Sequence, residues 1–198
     1  AIGVEGDELG RISYYSEGMM RCDITCQIFE EKGVEYRFKP NAILVLHELI
    51  NQIMGIRLPQ KPRSRVIIGK IKGGQKHGII AYDATLGLEI HSDSDKMVKS
   101  IFTDIKGMVT GISHEFGVKM KLDTISNATA TRLRYNHPLV KAAGKVMEAL
   151  DIHTVGEPSE SELSILLAKK IPAVTLGLTR GEHYHQPDSQ MEIEPLFK

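Results

Sequence analysis

Between residues 18 and 131, the spacing of apolar side chains switches between the period of a strand and that of a helix. From Met20 to Ile28, apolar and polar residues alternate, as expected for a strand with one buried face. Asn41 then stands at a helix N-cap position, and Gly55 follows the last apolar residue of the helical pattern. The apolar stripe of this predicted helix consists of Ile43, Leu46, Ile50 and Ile53.

The rest of this region adds two strands, a helix and a final strand. Residues 65–72 and 79–92 predict a hairpin around GGQKHG, whose glycines supply the positive φ of a tight turn. A second helix is predicted from Ser94 to Phe116, and an alternating strand begins at Val118. The stripe of the second helix consists of Met97, Ile101, Ile105, Met108, Ile112 and Phe116. This order of six elements predicts a ferredoxin-like α+β fold, a four-stranded antiparallel sheet with both helices on one face.

Charge and hydropathy argue against two classes of partner. Lys and Arg together number 25, as do Asp and Glu, whereas nucleic-acid-binding proteins normally carry a positive excess. No apolar run approaches the roughly 18–20 residues that cross a bilayer. Cys22 and Cys26, on one face of a strand, lie about 13 Å apart, too far for a disulfide. We therefore expect a cytoplasmic protein with reduced, buried thiols and with neither nucleic-acid nor membrane partners.

The residues with the most chemical character lie near the end of the chain. Two helices are predicted after residue 133, and the continuous apolar run 171–178 predicts a strand buried on both faces. That run leads into a loop containing His183 and His185. Two imidazoles after a buried strand are a common arrangement for holding a metal ion in α/β enzymes. The alternative interpretation is a polar loop whose His side chains are merely solvated.

The order of these segments resembles that of the aminoacylase, acetylornithine deacetylase, succinyl-diaminopimelate desuccinylase and carboxypeptidase G family of co-catalytic zinc metallopeptidases. In that family a ferredoxin-like lid, or dimerisation, domain is inserted into a zinc-binding α/β domain. The segments that carry the resemblance are AIGVEGDELGRI, KPNAILVLHELI, IGKIKGGQKHGIIAYDATLGLEIHS, NHPLVKAAGKVMEAL, SESELSILLAKKIPAVTLG and GEHYHQPDSQMEI. The resemblance implies parts of a catalytic domain at 1–13 and 133–198, and a lid domain at 14–132.

The resemblance implies that the protein is a zinc-dependent amidohydrolase or peptidase that uses metal-activated water. Its substrate would be a small peptide or an N-acyl amino acid, and a homodimer would form through the lid domain. In this register Glu5 and His185 are each a ligand to one of two zinc ions, with cobalt or manganese as alternative metals. His183 is then a neighbour of the ligand.

Three further residues match positions that face the substrate in the family. Arg180 and Gly181 lie in the loop over the substrate carboxylate, where the guanidinium would pair with that group. A surface Arg without such a partner is the alternative interpretation. Glu162 takes the place of the Asp in the family's Ser-Asp-Ala-Asn stretch, which puts the corresponding substrate contact in question.

The sequence also departs from the family pattern. The family's HxD ligand pair, bridging aspartate and Glu-Glu pair precede the position equivalent to Ala1. We therefore expect no catalytic residue in this chain, weak zinc binding and no hydrolysis by the chain alone. The lid loop at 29–43 lacks the family's oxyanion-stabilising His, and Gly78, Ala81 and His91 replace its usual Asn, Pro and Arg. The alternative hypothesis is a non-catalytic ferredoxin-like module for dimerisation or ligand sensing.

Overall fold

The structure, a computed structural model, describes residues 1–6, 8–29, 40–159, 162–183 and 186–197. The chain divides into two compact units. Unit 1 consists of residues 1–17 and 128–198, and unit 2 consists of residues 18–127. Each unit has a hydrophobic core of its own, so the two are described in turn.

The chain forms a mixed α+β structure. Its first half contains β1 (Ile2–Glu5), β2 (Ile12–Ser13), β3 (Tyr15–Ser16), β4 (Gly18–Gln27), α1 (Ala42–Met54), β5 (Ser64–Gly73) and β6 (Asp83–Ser92). Its second half contains α2 (Asp95–Glu115), β7 (Lys119–Ala128), β8 (Thr131–Arg132), α3 (Pro138–Ala149), α4 (Leu163–Ala168), β9 (Val174–Gly177), β10 (Gly181–Glu182) and β11 (Gln190–Met191), followed by a 3₁₀ turn at Glu194–Phe197.

Unit 2 is built on a four-stranded sheet of order β5-β6-β4-β7, in which β6 pairs antiparallel with both β5 and β4. The alternation predicted for β4 is confirmed, since Cys22, Ile24 and Cys26 are fully buried on the face that α1 and α2 cover. Their buried neighbours on β6 include Leu86 and Leu88. One apolar core therefore holds both helices against one face of the sheet.

Helix α1 begins as predicted, but its buried stripe is different. Asn41 Oδ1 accepts a hydrogen bond from the Ile43 backbone N–H at 3.0 Å, and Gly55 is the C-cap. The buried residues are Ala42, Val45, Leu46, Leu49 and Ile53. Ile43 is 40% exposed, and Ile50 is only partly buried. Because the first two turns of α1 are apolar on almost every side, their spacing does not determine which face meets the sheet.

Helix α2 shows a smaller deviation of the same kind. Ile101, Ile105 and Ile112 are buried as predicted, and Val98 and Val109 complete the buried stripe. Met97 and Met108 pack at its margin, and Phe116 is the C-cap residue, 38% exposed. Long Met side chains at the edge of a stripe reach the core without being enclosed by it.

Unit 1 contains a three-stranded sheet of order β1-β9-β2, with β9 parallel to β1 and antiparallel to β2. The predicted strand at 171–178 is confirmed as the central one, although β9 itself is shorter. Helix α3 begins at Pro138, and its N-cap residue His137 accepts through Nδ1 from the Leu139 backbone N–H at 3.2 Å. The core of unit 1 consists of Ile12, Val140, Ala143, Met147 and Val174.

The second predicted helix of this region is the six-residue α4. It ends at Ala168 because Lys170 adopts a left-handed conformation with φ 60°, which a right-handed helix cannot continue through. Helix α4 packs against β3 and β8, which pair with each other. This part of unit 1 therefore forms a small cluster beside the three-stranded sheet.

Candidate metal and substrate site

The predicted ligand Glu5 lies at the carboxyl end of β1, beside the carboxyl end of β9. The two strands are parallel, and Glu5 is the register partner of Gly177. The backbone N–H of Leu178 donates to the Glu5 carbonyl at 3.1 Å, so the chain leaves β9 next to Glu5. In open sheets of parallel strands, ligands bind at this carboxyl edge, where loops follow the strands.

The chain that follows β9 returns over the same edge as a short hairpin. Strands β10 and β11 pair antiparallel, with Gly181 opposite Met191. The hydroxyl of Thr179, which is fully buried, donates to the Glu192 carbonyl, and the Glu192 N–H donates to the Arg180 carbonyl at 2.7 Å. Buried hydrogen bonds of this kind fix the base of the hairpin, because breaking them leaves unsatisfied polar groups.

The hairpin lies close to the segment after β1. A Cβ atom added to Gly6 would lie 3.3 Å from Met191 Sδ, so β11 and residue 6 are in near contact. The structure thus brings together the Glu5 segment and the β10–β11 hairpin, which lie about 180 positions apart in the chain. It joins the two regions in which the sequence predicted metal ligands.

The loop between β10 and β11 contains a carboxylate–imidazole pair. Nδ1 of His183 lies 2.7 Å from Oδ2 of Asp188, and both side chains are more than half exposed. The backbone N–H of Gln186 donates to the His183 carbonyl at 3.0 Å. His183 adopts a left-handed conformation with φ 55°. The predicted ligand His185 lies outside the described residues.

The three predicted substrate-side residues occupy different places. Arg180 is exposed at the start of the hairpin, where no ion pair joins its guanidinium to another described side chain. Gly181 is half-buried in β10. Glu162 is the N-cap residue of α4 and is exposed there, on the helix that packs against β3 and β8. Arg180 and Gly181 therefore share the hairpin with His183, whereas Glu162 belongs to a separate element.

The described residues by themselves do not form a metal centre. Among them, no three side chains of His, Cys, Asp or Glu converge as a metal would require. The Glu5 carboxylate on β1 and the His183 imidazole in the closing loop are nevertheless donors of the kinds that zinc binds. These donor types fit zinc chemistry, although the described residues alone do not complete a site.

Sequence reasoning missed the His183–Asp188 pair. It treated His183 as a neighbour of a ligand and the Pro187–Asp188 step as a turn. Spacing in the sequence does not specify which group donates a hydrogen bond to the Asp188 carboxylate.

In unit 2, His91 lies in a row of charged residues on the sheet face opposite the helices. Its Nε2 lies 2.9 Å from Glu89 Oε2, and Arg21 Nη2 lies 2.6 Å from Glu89 Oε1. Burial raises the pKa of the Glu89 carboxyl, but the hydrogen bonds from His91 and Arg21 outweigh it and hold that pKa below its ordinary value. Nearby, Lys70 Nζ lies 3.6 Å from Asp23 Oδ2 beside a cavity of about 490 Å³.

Several solved structures have a fold similar to that of this chain. The chain superposes on the aminopeptidase PepT from Bacillus cereus with a TM-score of 0.80 at 15% identity, over 99% of this chain and 53% of that one. For a tripeptidase from Staphylococcus aureus the TM-score is 0.75 at 20% identity, over 98% and 52% of the two chains. A hydantoinase/carbamoylase family amidase from Burkholderia ambifaria gives 0.64 at 17% identity, over 84% and 42%.

These similarities establish a shared fold with peptidase and amidase structures. The chain spans about half the length of the proteins that it matches. No protein-family profile matches the sequence, and no curated protein does. None of the helices in the described part of the chain has the length and apolarity that a bilayer span requires.

Proposed function

We propose that this chain is part of a metal-dependent hydrolase that cleaves a peptide or N-acyl amide bond in a small substrate. The observation that carries the proposal is that the segment after Glu5 approaches the hairpin containing His183, at the carboxyl edge of β1 and β9. Support for the reaction class comes from the shared fold with structures named as an aminopeptidase, a tripeptidase and an amidase.

The proposed cofactor is zinc, with cobalt or manganese as alternatives, and Glu5 and His185 would each bind one of two ions. Bound zinc supplies activation of water and polarisation of the amide carbonyl. The role of this chain is to hold two ligands on a rigid base, which β1, β9 and the hairpin hydrogen bonds provide. The family resemblance assigns the other ligands and the general base to polypeptide outside this chain, so the chain alone is proposed to be inactive.

Arg180 is the proposed partner of a substrate carboxylate. Its guanidinium is exposed on the hairpin that carries His183, and Gly181 follows it without a side chain to obstruct a ligand. A planar guanidinium binds a carboxylate through two parallel hydrogen bonds, which also fix the orientation of the substrate. Glu162 is kept as a substrate-side residue on the resemblance alone.

Unit 2 is proposed to be the ferredoxin-like lid domain and the site of homodimerisation. Its order of elements, its strand order β5-β6-β4-β7 and its two helices on one face support that assignment. Strands β5 and β7 end the sheet, and an edge strand has unpaired backbone groups that a second copy can satisfy.

The test of the proposed reaction uses the natural polypeptide that contains this chain, loaded with zinc, cobalt or manganese. A panel of dipeptides, tripeptides, N-acetyl and N-carbamoyl amino acids is assayed for release of free amine. Glu5→Gln and His185→Gln are expected to lower kcat/KM at least about 100-fold, because each removes a metal ligand. His114→Gln, an exposed His at the end of α2, is the control. Absence of hydrolysis across the panel with all three metals would contradict the proposal.

A further inference from the structure

Strand β1 lies at the end of the three-stranded sheet of unit 1. The sheet order is β1-β9-β2, so within the described part of the chain β1 has a neighbouring strand on one side only. On that side the Glu5 carbonyl accepts from the Leu178 N–H at 3.1 Å. Since the backbone groups of successive residues in a strand point to alternate sides, the N–H and C=O groups of Ile2 and Val4 point away from β9, at the open edge.

The side chains of Ile2 and Val4 are exposed as well. Each residue is 62% exposed, although their register partners are Val174, which is fully buried, and Leu176, which packs against the core of unit 1. Residues that pair in register point to the same face of a sheet, and α3 covers this face over β2 and β9. The apolar core therefore stops at β9, and β1 extends the sheet beyond it with two apolar side chains.

An open edge and an open face on one strand of a parallel pair are uncommon, because parallel strands are normally buried on both faces. This chain accounts for only about half of the aminopeptidase and tripeptidase chains that it matches. We propose that a further β-strand, from the part of the natural protein outside this chain, pairs with β1, and that apolar side chains of that part cover Ile2 and Val4. The inference rests on the proposed function only in placing further polypeptide outside this chain.

A second copy of the chain fits this edge less well. Strand β1 has four residues, so two copies joined through it would bury little surface. Stable interfaces between separate proteins bury about 1,200 Å² or more in total. A strand from the same polypeptide needs much less surface, because its covalent connection gives it a high effective concentration at the edge.

The first test is hydrogen exchange at the Val4 backbone N–H, measured in this chain and in the natural polypeptide that contains it. Exchange is expected to be at least about 100-fold slower in the natural polypeptide, because the N–H donates to the added strand there. The Val174 N–H, which donates to the Ala1 carbonyl at 3.2 Å in the interior of unit 1, is the control and is expected to be protected in both proteins. Equally fast exchange of Val4 in the two proteins would overturn the proposal.

The second test compares Val4→Lys with Val146→Lys, a substitution of the same kind on α3, where Val146 is 57% exposed. A Lys at a covered position loses hydration, so Val4→Lys is expected to lower the midpoint of thermal unfolding of the natural polypeptide by about 5 °C. The other three combinations of variant and protein are expected to stay within about 2 °C of wild type. An equal effect of Val4→Lys in the two proteins would count against the added strand. The exchange measurement uses unsubstituted protein, so it decides the matter if Val4→Lys does not fold.

Other outcomes separate this inference from its alternatives. If Val4 is protected in this chain alone, and the protection increases with protein concentration, a second copy occupies the edge and the inference is wrong. If the natural polypeptide protects Val4 but hydrolyses no substrate of the panel, the proposed reaction fails and the added strand stands. Hydrolysis together with fast exchange of Val4 supports the reaction and excludes the added strand.

Discussion

Glu5, the last residue of β1, is the register partner of Gly177, the last residue of β9. The two strands are parallel, so the segments that follow them leave the sheet in the same direction at the same edge. The segment after β1 begins directly after the Glu5 carboxylate, and the segment after β9 continues into the hairpin that carries Arg180 and His183. This relationship gives a physical basis for a site made from opposite ends of the sequence.

The loop from β1 to β2 is expected to be very sensitive at Gly10. Its φ is 93°, and a Cβ there would lie 2.1 Å from the His153 carbonyl oxygen. Because backbone cannot move aside easily, Gly10→Ala is expected to lower the free energy of unfolding by about 2–4 kcal/mol. The matched control is Gly107→Ala in α2, where a Cβ meets nothing within 4 Å.

The control is expected to raise the free energy of unfolding by about 0.5–1 kcal/mol, since Ala is the better helix former. Chemical denaturation followed by circular dichroism measures both variants. Equal stability of the two variants would show that the Gly10 conformation is wrong.

Stability is expected to depend on pH through Glu89. The pKa of its carboxyl is lower in the folded state than its ordinary value, which here is 4.5, because of the hydrogen bonds from His91 and Arg21. A lowered folded pKa gives stability that is present above the ordinary value and is lost as the pH falls through the folded pKa. The stability difference between wild type and Glu89→Gln is therefore expected to shrink as the pH falls below about 4.5.

Denaturant unfolding of both proteins from pH 7 to pH 3 measures that difference. A difference that stays constant or grows toward acid pH would rule out the stabilising role of these hydrogen bonds.

The two cysteines are expected to be unreactive in the folded protein. Burial raises the pKa of the Cys26 thiol to about 11, and it also raises that of Cys22. Since the thiolate is the reactive form, both thiols stay protonated and enclosed at pH 8. An aromatic disulfide reagent is expected to label both in guanidinium and neither without it. Rapid labelling of one thiol in the native protein would contradict the packing of β4.

Homodimerisation through unit 2 is testable at its edge strands. Light scattering is expected to give twice the monomer mass at high micromolar concentration. Ile71→Lys on β5, a residue 55% exposed, is expected to weaken the dimer if that edge is used, and Ile125→Lys on β7, 56% exposed, tests the other edge. A monomer in wild type at these concentrations would exclude the proposed assembly.

Much of the fold followed from local signals in the sequence. Asn41 marked the start of α1 because a capping side chain acts within one turn, and β4 followed from strict alternation. The buried face of α1 did not follow, because Ile43 and Val45 are both apolar and only the sheet selects between them. Local pattern determines the type of an element better than its contacts.

For the candidate site, as for the fold, the sequence predicted residue types better than it predicted contacts. Glu5 came from the family resemblance, and the parallel pairing that gives it a place beside Gly177 is a long-range contact that spacing does not reveal. The His183–Asp188 bond depends on a left-handed residue inside a short loop, which a sequence pattern does not specify. The sequence therefore predicted which kinds of side chain lie at the candidate site, whereas their hydrogen-bond and strand-pairing partners came from the structure.

The central claim is that Glu5 and the closing hairpin form one metal site, and paramagnetic broadening by Mn²⁺ tests it most directly. In ¹⁵N NMR spectra of this chain, added Mn²⁺ is expected to broaden the resonances of residues 3–6 and 181–191 together. Glu5→Gln is expected to reduce the broadening of both segments. Broadening of one segment alone, or of the hairpin unchanged in Glu5→Gln, would contradict a shared site.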